Sequence, residues 1–238
     1  MTYVMSDLHG EYEKYQQMLQ RIDFSEDDTL IIAGDLCDRG ENSVKLYLDV
    51  MARRNVFVIK GNHEEMAEEY LPCLLDVYDE NPVDLRKLLT QKDLWYWAEN
   101  GGDATIRSIL PEYESTKRRI LQFIQSLPYY KEVDVNGNHY IIIHGGPGKY
   151  HPGMQIDDVQ YHDLLWSRPD YDGRYFGDEN TYLIVGHVPT FLMRPVQAPA
   201  TIYRGRGNVI AIDCGAVFSA IFGRLGCLCL DTNEEFYV

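Results

Sequence analysis

Leu30-Ile31-Ile32-Ala33-Gly34-Asp35-Leu36-Cys37-Asp38-Arg39-Gly40 is a short aliphatic run that ends in glycine, followed by two carboxylates three residues apart with an arginine beside the second. A continuous apolar run of this length reads as a strand of a parallel sheet, and ligands of α/β sheets bind just beyond the carboxyl ends of such strands. Asp35 and Asp38 therefore emerge where chemistry is usually done. Taken alone, the stretch reads as well as a helix cap with a surface ion pair.

Repetition decides between the two. Tyr3-Val4-Met5-Ser6 runs into Asp7-Leu8-His9-Gly10, and Val56-Phe57-Val58-Ile59 into Gly61-Asn62-His63-Glu64. Tyr140-Ile141-Ile142-Ile143 runs into His144-Gly145-Gly146, and Tyr182-Leu183-Ile184-Val185 into Gly186-His187. Each apolar run delivers a metal-capable side chain at its carboxyl end, usually beside glycine. Unrelated loop caps do not choose Asp, His and Asn so consistently.

The order strand, helix, strand, helix, strand over the first 60 residues is the signature of parallel crossover units, with helices at 11–22 and 41–54. Between residues 64 and 140 the pattern turns helical, with segments at about 63–78, 82–99, 103–109 and 115–127 punctuated by Pro72, Pro82, Pro111 and Pro128. This reads as a helical insertion (about 66–130) within a single domain covering 1–238. Its most distinctive feature is Trp95, Tyr96 and Trp97 followed by Asn100-Gly101-Gly102, which reads as local aromatic packing and a helix C-cap turn. From Val133 the chain is β-rich. Asn136-Gly137 signals a type I′ hairpin, a short helix is expected at 157–166, and strands at about 182–186, 201–203, 208–213, 226–230 and 235–238. Tandem strands after crossover units predict an α/β fold of two packed mixed sheets flanked by helices.

A chain of 238 residues with a formal net charge of −15 gains nothing from polyanions, which argues against a general nucleic-acid or anionic-membrane binder. A phosphorylated substrate is still compatible, because cations and two arginines reverse the potential locally. Five cysteines without framework spacing point to a reducing compartment and a cytoplasmic protein. Cys227 and Cys229 alternate along a strand and are expected to pack on one side. The first strand begins at about residue 2, leaving no room for a cleavable signal, and the window 209–230 is too interrupted for a membrane span.

Asp7 and His9, two apart on an extended segment, project to one side and can grip one cation. Asp35 can bridge to a second, which Asn62, His144 and His187 could complete. Oxygen and imidazole ligands without thiolate suit Mn, Fe or Zn. If Asn62 faces the metal, its neighbour His63 is free to face substrate. Two such cations are the standard device for in-line displacement at phosphorus by a bridging hydroxide. His63, oriented by Asp38, is the natural proton donor to the leaving group. Arg39 and Arg168 have the planar forks that clamp phosphoryl oxygens, although Arg168 reads equally as a surface residue. Asp213, His139, His151 and His162 are expected to be structural or surface groups, and Cys37 a buried, inert thiol.

Asp-x-His, Gly-Asp-x-x-Asp-Arg-Gly, Gly-Asn-His-Glu, His-Gly-Gly and Gly-His, in this order, resemble the calcineurin-like metallophosphoesterases. They are closest to the bacterial branch of the PPP-type serine/threonine phosphatases and to the related symmetrical diadenosine tetraphosphatases. The resemblance implies Asp7, His9 and Asp35 at a first metal, and Asp35, Asn62, His144 and His187 at a second. It also implies His63 with Asp38 as the acid pair, and Arg39 and, less closely, Arg168 as the phosphate clamp. Ser6 and Cys37 depart from the family's usual glycine and aliphatic residue without removing a ligand. The expected function is a dinuclear, manganese-type phosphatase acting on phosphoserine or phosphothreonine in proteins or on small phosphoesters. The alternatives are a symmetrical dinucleoside tetraphosphate hydrolase and, since every ligand position is filled, much less readily a catalytically dead scaffold.

Overall fold

The computed structural model describes residues 1–77, 84–91, 94–151, 153–193 and 198–238. The parallel start is present. β1 (Thr2–Met5), β2 (Thr29–Ile32) and β3 (Val56–Val58) pair in parallel through α1 (Tyr12–Arg21) and α2 (Ser43–Ala52). The helices that follow are α3 (Asn62–Tyr70), α4 (Leu85–Gln91), α5 (Trp95–Trp97), α6 (Asp103–Ile109) and α7 (Glu114–Ser126). A 3₁₀ turn at Leu71–Leu74 extends α3, and a wide π turn at Ala98–Gly102 joins α5 to α6. Pro82, residue 78 of the first expected helix, and residues 82–83 and 92–93 of the expected 82–99 helix lie outside the described residues.

β4 (Tyr130–Val135) and β5 (Asn138–Ile143) form the expected hairpin, three residues longer than expected on its first strand. Asn136 and Gly137 have φ of 51° and 81°, the left-handed pair that a type I′ turn requires. A 3₁₀ turn at Ile156–Asp158 and α8 (Tyr161–Trp166) replace the single helix expected at 157–166. β6 (Thr181–Val185), β7 (Tyr203–Arg204) and β8 (Val209–Ala211) complete a second sheet in the order β4-β5-β6-β8-β7. β9 (Gly226–Cys229) and β10 (Glu235–Tyr237) return antiparallel to β1, so the first sheet reads β10-β9-β1-β2-β3.

Strand alternation assigns the two faces. Val4, Ile31 and Leu228 of the first sheet meet Ile142, Ile184 and Ile210 of the second in a buried inter-sheet core. Their neighbours Tyr3, Met5, Leu30, Ile32, Cys227 and Cys229 face the opposite way, into one core with Met66, Leu88, Trp97, Ile106 and Ile120 of the helices. The far side of the second sheet is covered by Leu164 and Ile156 over Ile141, Ile143, Leu183 and Val185. With apolar layers on both faces, the sheets expose chemistry only at their ends. Parallel β1, β2, β3 and β5, β6 all end at the same rim.

Candidate metal centre

The loops after β1 and β2 continue each other's hydrogen bonding past the strands. The amides of Asp7, His9 and Gly10 donate to the carbonyls of Gly34, Asp35 and Leu36 at 3.1, 2.9 and 2.8 Å. The segment is not extended as expected. Asp7 and His9 are left-handed, with φ of 52° and 43°, and this local winding, not strand alternation, brings both side chains toward Asp35. Asp35, Asp38, Arg39 and His187 share that conformation, so six of the ten described non-glycine residues with positive φ belong to this site. Such backbone is costly for L-residues and persists only where the surroundings enforce it.

Asp35 sits at the middle. Its Oδ2 lies 3.6 Å from His9 Nε2, 3.3 Å from His144 Nε2 and 3.9 Å from His63 Nε2. Among the described residues, the ligand atoms of Asp7, Asp35 and His144 lie within 4.8 Å of one another, as do those of His9, Asp35 and His63. Asn62 Oδ1 lies 2.8 Å from His144 Nε2 and 3.0 Å from His187 Nδ1, and the His187 amide donates to both Asp7 oxygens. The site therefore gathers all six residues expected to hold metal. It is Asp35, as expected, that is common to both groups, while His63 joins His9 in one of them.

The donor chemistry fits divalent cations. His9 and His144 each donate Nδ1–H to a backbone carbonyl, of Cys37 and Ala33, at 2.8 Å. The two Nε2 atoms are thereby turned toward carboxylate and amide oxygens, the arrangement in which metal-binding imidazoles are held. Electrostatics agree. Burial pushes Asp7 up to about 6, aided by the Asp35 charge. Burial would lower His144, but Asp35 outweighs it and raises the imidazole to about 10. Burial and the charge of His144 push His187 down to about 3. Asp35 is held well below the usual carboxylate range, because His144, His63 and His9 outweigh its burial. The oxygens of Asp7, Asp35 and Asn62, drawn together and away from water, form a site for positive charge.

His63 lies at the edge of this cluster, its Nε2 3.9 Å from Asp35 Oδ2. Its Nδ1 donates to Asp38 Oδ2 at 2.7 Å, and its Nε2 accepts from Arg39 Nη2 at 3.0 Å. Arg39 Nη1 reaches His9 Nε2 at 2.5 Å, so the exposed guanidinium spans the mouth. Burial lowers His63, but Asp35 and the hydrogen bond to Asp38 leave it raised. Arg168 is exposed, near enough to His187 for its charge to depress that imidazole, and contributes no hydrogen bond to the cluster.

Three supporting residues escaped the sequence reading. Glu64, fully buried, accepts from the amides of Asp35, Gly61 and Leu36 at 2.7, 2.9 and 2.8 Å and from the Tyr47 hydroxyl at 3.2 Å, pinning the Asp35 loop. Glu64 at the third position of a helix, where its carboxylate accepts the Gly61 amide, was the available signal, one half of a capping box that glycine cannot complete. Trp97 and Thr105 both donate to the Asp38 carboxylate. The aromatic cluster therefore does not simply pack. Trp95 and Tyr96 are exposed, and Trp97 alone is buried, stacked on Tyr70. Asn100-Gly101-Gly102 does carry the expected helix-ending turn, since Gly101, with φ of 98°, breaks the helical backbone between α5 and α6, and its carbonyl also accepts the Arg39 amide at 2.8 Å. Cys37 is buried and its thiol is pushed well above its ordinary range by burial, as its inert reading required. Asp213 is buried beside the site and accepts the Gly215 amide at 2.7 Å. Among the described residues, no helix is long and apolar enough to cross a membrane.

A family model described as calcineurin-like phosphoesterase matches residues 2–211. Serine/threonine-protein phosphatase 1 of Salmonella typhimurium is 28% identical over 220 residues, 91% of this chain and 87% of that one. A symmetrical bis(5'-nucleosyl)-tetraphosphatase of Wigglesworthia glossinidia brevipalpis is 44% identical over 64 residues, 26% of this chain and 24% of its own. A protein serine/threonine phosphatase structure from Saccharomyces cerevisiae superposes with a TM-score of 0.59 at 15% identity, covering 100% of this chain and 79% of that one, a likeness of fold.

Proposed function

We propose that this chain, which belongs to the calcineurin-like phosphoesterase family and is a metal-dependent phosphatase, hydrolyses phosphoserine and phosphothreonine monoesters in proteins. In this reading Asp7, His9, Asp35, Asn62, His144 and His187 hold two divalent ions, manganese foremost, in one catalytic unit that includes the helices of 62–126. The observation that carries it is the convergence of acceptors from five strand ends on Asp35, with His63 and Arg39 at the open side. Ions bound there polarise the phosphoryl group and lower the pKa of water beside them. The chain's own groups supply the rest. Once Arg39 turns off Nε2 and that nitrogen takes up a proton, His63, fixed by Asp38, delivers it from Nε2 to the departing alkoxide. Arg39 carries two donors at the mouth, placed to turn onto non-bridging oxygens. Arg168 adds positive charge on the His187 side.

Support for protein substrates comes from the similarity to the Salmonella phosphatase, which extends over 91% of the chain. The net charge of −15 also disfavours a highly charged polyphosphate chain. The second reading, symmetrical cleavage of a dinucleoside tetraphosphate, rests on the 44% identity of the shorter Wigglesworthia match. The free cysteines, Cys37, Cys73, Cys214, Cys227 and Cys229, suit a reducing cytoplasm. Turnover of a phosphoserine peptide, p-nitrophenyl phosphate and diadenosine tetraphosphate, each with Mn, Fe, Zn and Mg, tests the proposal. Dominant cleavage of the tetraphosphate refutes the protein-substrate reading in favour of the second.

A further inference from the structure

A carboxylate that orients a histidine needs to be anchored itself, and Asp38 is anchored from the helical insertion. Trp97 Nε1 bridges its two oxygens, at 3.1 Å from Oδ1 and 2.9 Å from Oδ2. An indole N–H can only donate, so it fixes the rotation of the carboxylate plane. Thr105 completes the grip in both directions. Its Oγ1 accepts the Asp38 amide at 2.8 Å and lies 2.6 Å from Asp38 Oδ1. With a lone pair on the amide, and the Ser43 hydroxyl 3.1 Å away able to supply a second donor, the Thr105 proton is directed to Oδ1. Oδ2 is left facing His63 Nδ1, which must carry the hydrogen because a carboxylate only accepts. The imidazole's working nitrogen, Nε2, is thus turned toward Arg39 and Asp35. Packing explains why Trp97 is buried, but it does not require three donors to converge on one side chain that is itself wholly buried.

We propose that Trp97 and Thr105 are positioning residues for the acid pair, holding Asp38 so that His63 presents Nε2 to the leaving group. This role rests on the phosphatase reading above, and it assigns to the insertion a share in the chemistry.

The test uses the metal-loaded full-length enzyme and two monoesters, a phosphoserine peptide with a poor leaving group and p-nitrophenyl phosphate with a good one. Thr105→Val keeps the shape and removes the hydroxyl, Thr105→Ser restores it, and Trp97→Phe removes the indole donor. Thr105→Val and Trp97→Phe are each expected to lower kcat on the peptide by about 10- to 100-fold at little-changed KM, within the usual worth of acid catalysis. The loss is expected to shrink severalfold on p-nitrophenyl phosphate, and Thr105→Ser to recover most of it. In an Asp38→Asn background Thr105→Val is expected to cost little more, because both act through one group. Equal losses on the two esters, no loss at all, no recovery by Thr105→Ser, or full additivity with Asp38→Asn overturns the proposal. His63→Asn separates the two levels of failure. If it too is blind to the leaving group, the acid assignment falls and this role with it. If it is leaving-group dependent while the Thr105 variants are not, the positioning role alone is wrong.

Discussion

Asp35 Oδ2 lies 3.3 Å from His144 Nε2, joining a loop at the end of the first sheet to the residue that follows β5 of the second. Asp35 also belongs to both groups of convergent ligand atoms. Asp35→Asn is therefore expected to abolish turnover and to reduce metal content at both positions, since one change touches both groups. Metal analysis beside steady-state assays checks this, and a variant with near-normal turnover and two bound ions would contradict the central placement.

His63 faces Asp38 and Arg39. His63→Asn should leave metal content nearly intact and slow hydrolysis of alkyl phosphates by about 10²- to 10⁴-fold. The penalty should be smaller for p-nitrophenyl phosphate, whose leaving group departs without a proton. A Brønsted plot over substituted phenyl phosphates reads this directly, and parallel lines for wild type and variant would remove His63 from the acid role.

The pH dependence follows from the same residue. Burial lowers the His63 pKa, but Asp35 and the Asp38 hydrogen bond raise it above its ordinary 6.5. An acid works in its protonated form, so kcat on poor leaving groups should hold below the raised value and fall as pH rises through it. Asp38→Asn removes one raising interaction and should move that alkaline limb to lower pH. A limb that stays in place or moves up in Asp38→Asn would assign it to another group.

Glu64 is a stability element rather than a reactant. Its carboxylate accepts three backbone amides and the Tyr47 hydroxyl without exposure to solvent. Glu64→Gln places an NH₂ against some of those donors, and leaving a buried donor unmet costs about 1–3 kcal/mol. Urea denaturation should show a loss of that size, with the Asp35 loop loosened and turnover reduced. Unchanged stability would mean that the loop holds itself.

Much of the site was legible because its candidate ligands follow closely on apolar strands. Asp7, Asp35, Asn62, His144 and His187 are each announced by the run before them, and a strand end needs no tertiary knowledge to be recognised. The two-sheet architecture followed from crossover units at one end and tandem strands at the other. What could not be read depends on contacts made across the fold. Trp97 and Thr105 lie 59 and 67 residues from Asp38, and no local pattern marks a tryptophan as a hydrogen-bond donor to a particular carboxylate. The left-handed backbone at Asp7 and His9 was hidden as well, because Asp and His carry no obligation to positive φ as glycine does. The expectation of an extended Asp-x-His segment therefore reached the right neighbours by the wrong path.

The candidate centre lies where strand ends of the two sheets meet, and each sheet supplies candidate ligands. Ions seated there would act as a rivet through both halves, and the protein's resistance to heat would then follow the free ion concentration around it. At 100 times the dissociation constant, a single site binding only the folded form contributes about 2.7 kcal/mol. Titrating a chelator should lower the melting temperature in step with occupancy, and in Asp35→Asn that dependence should fade.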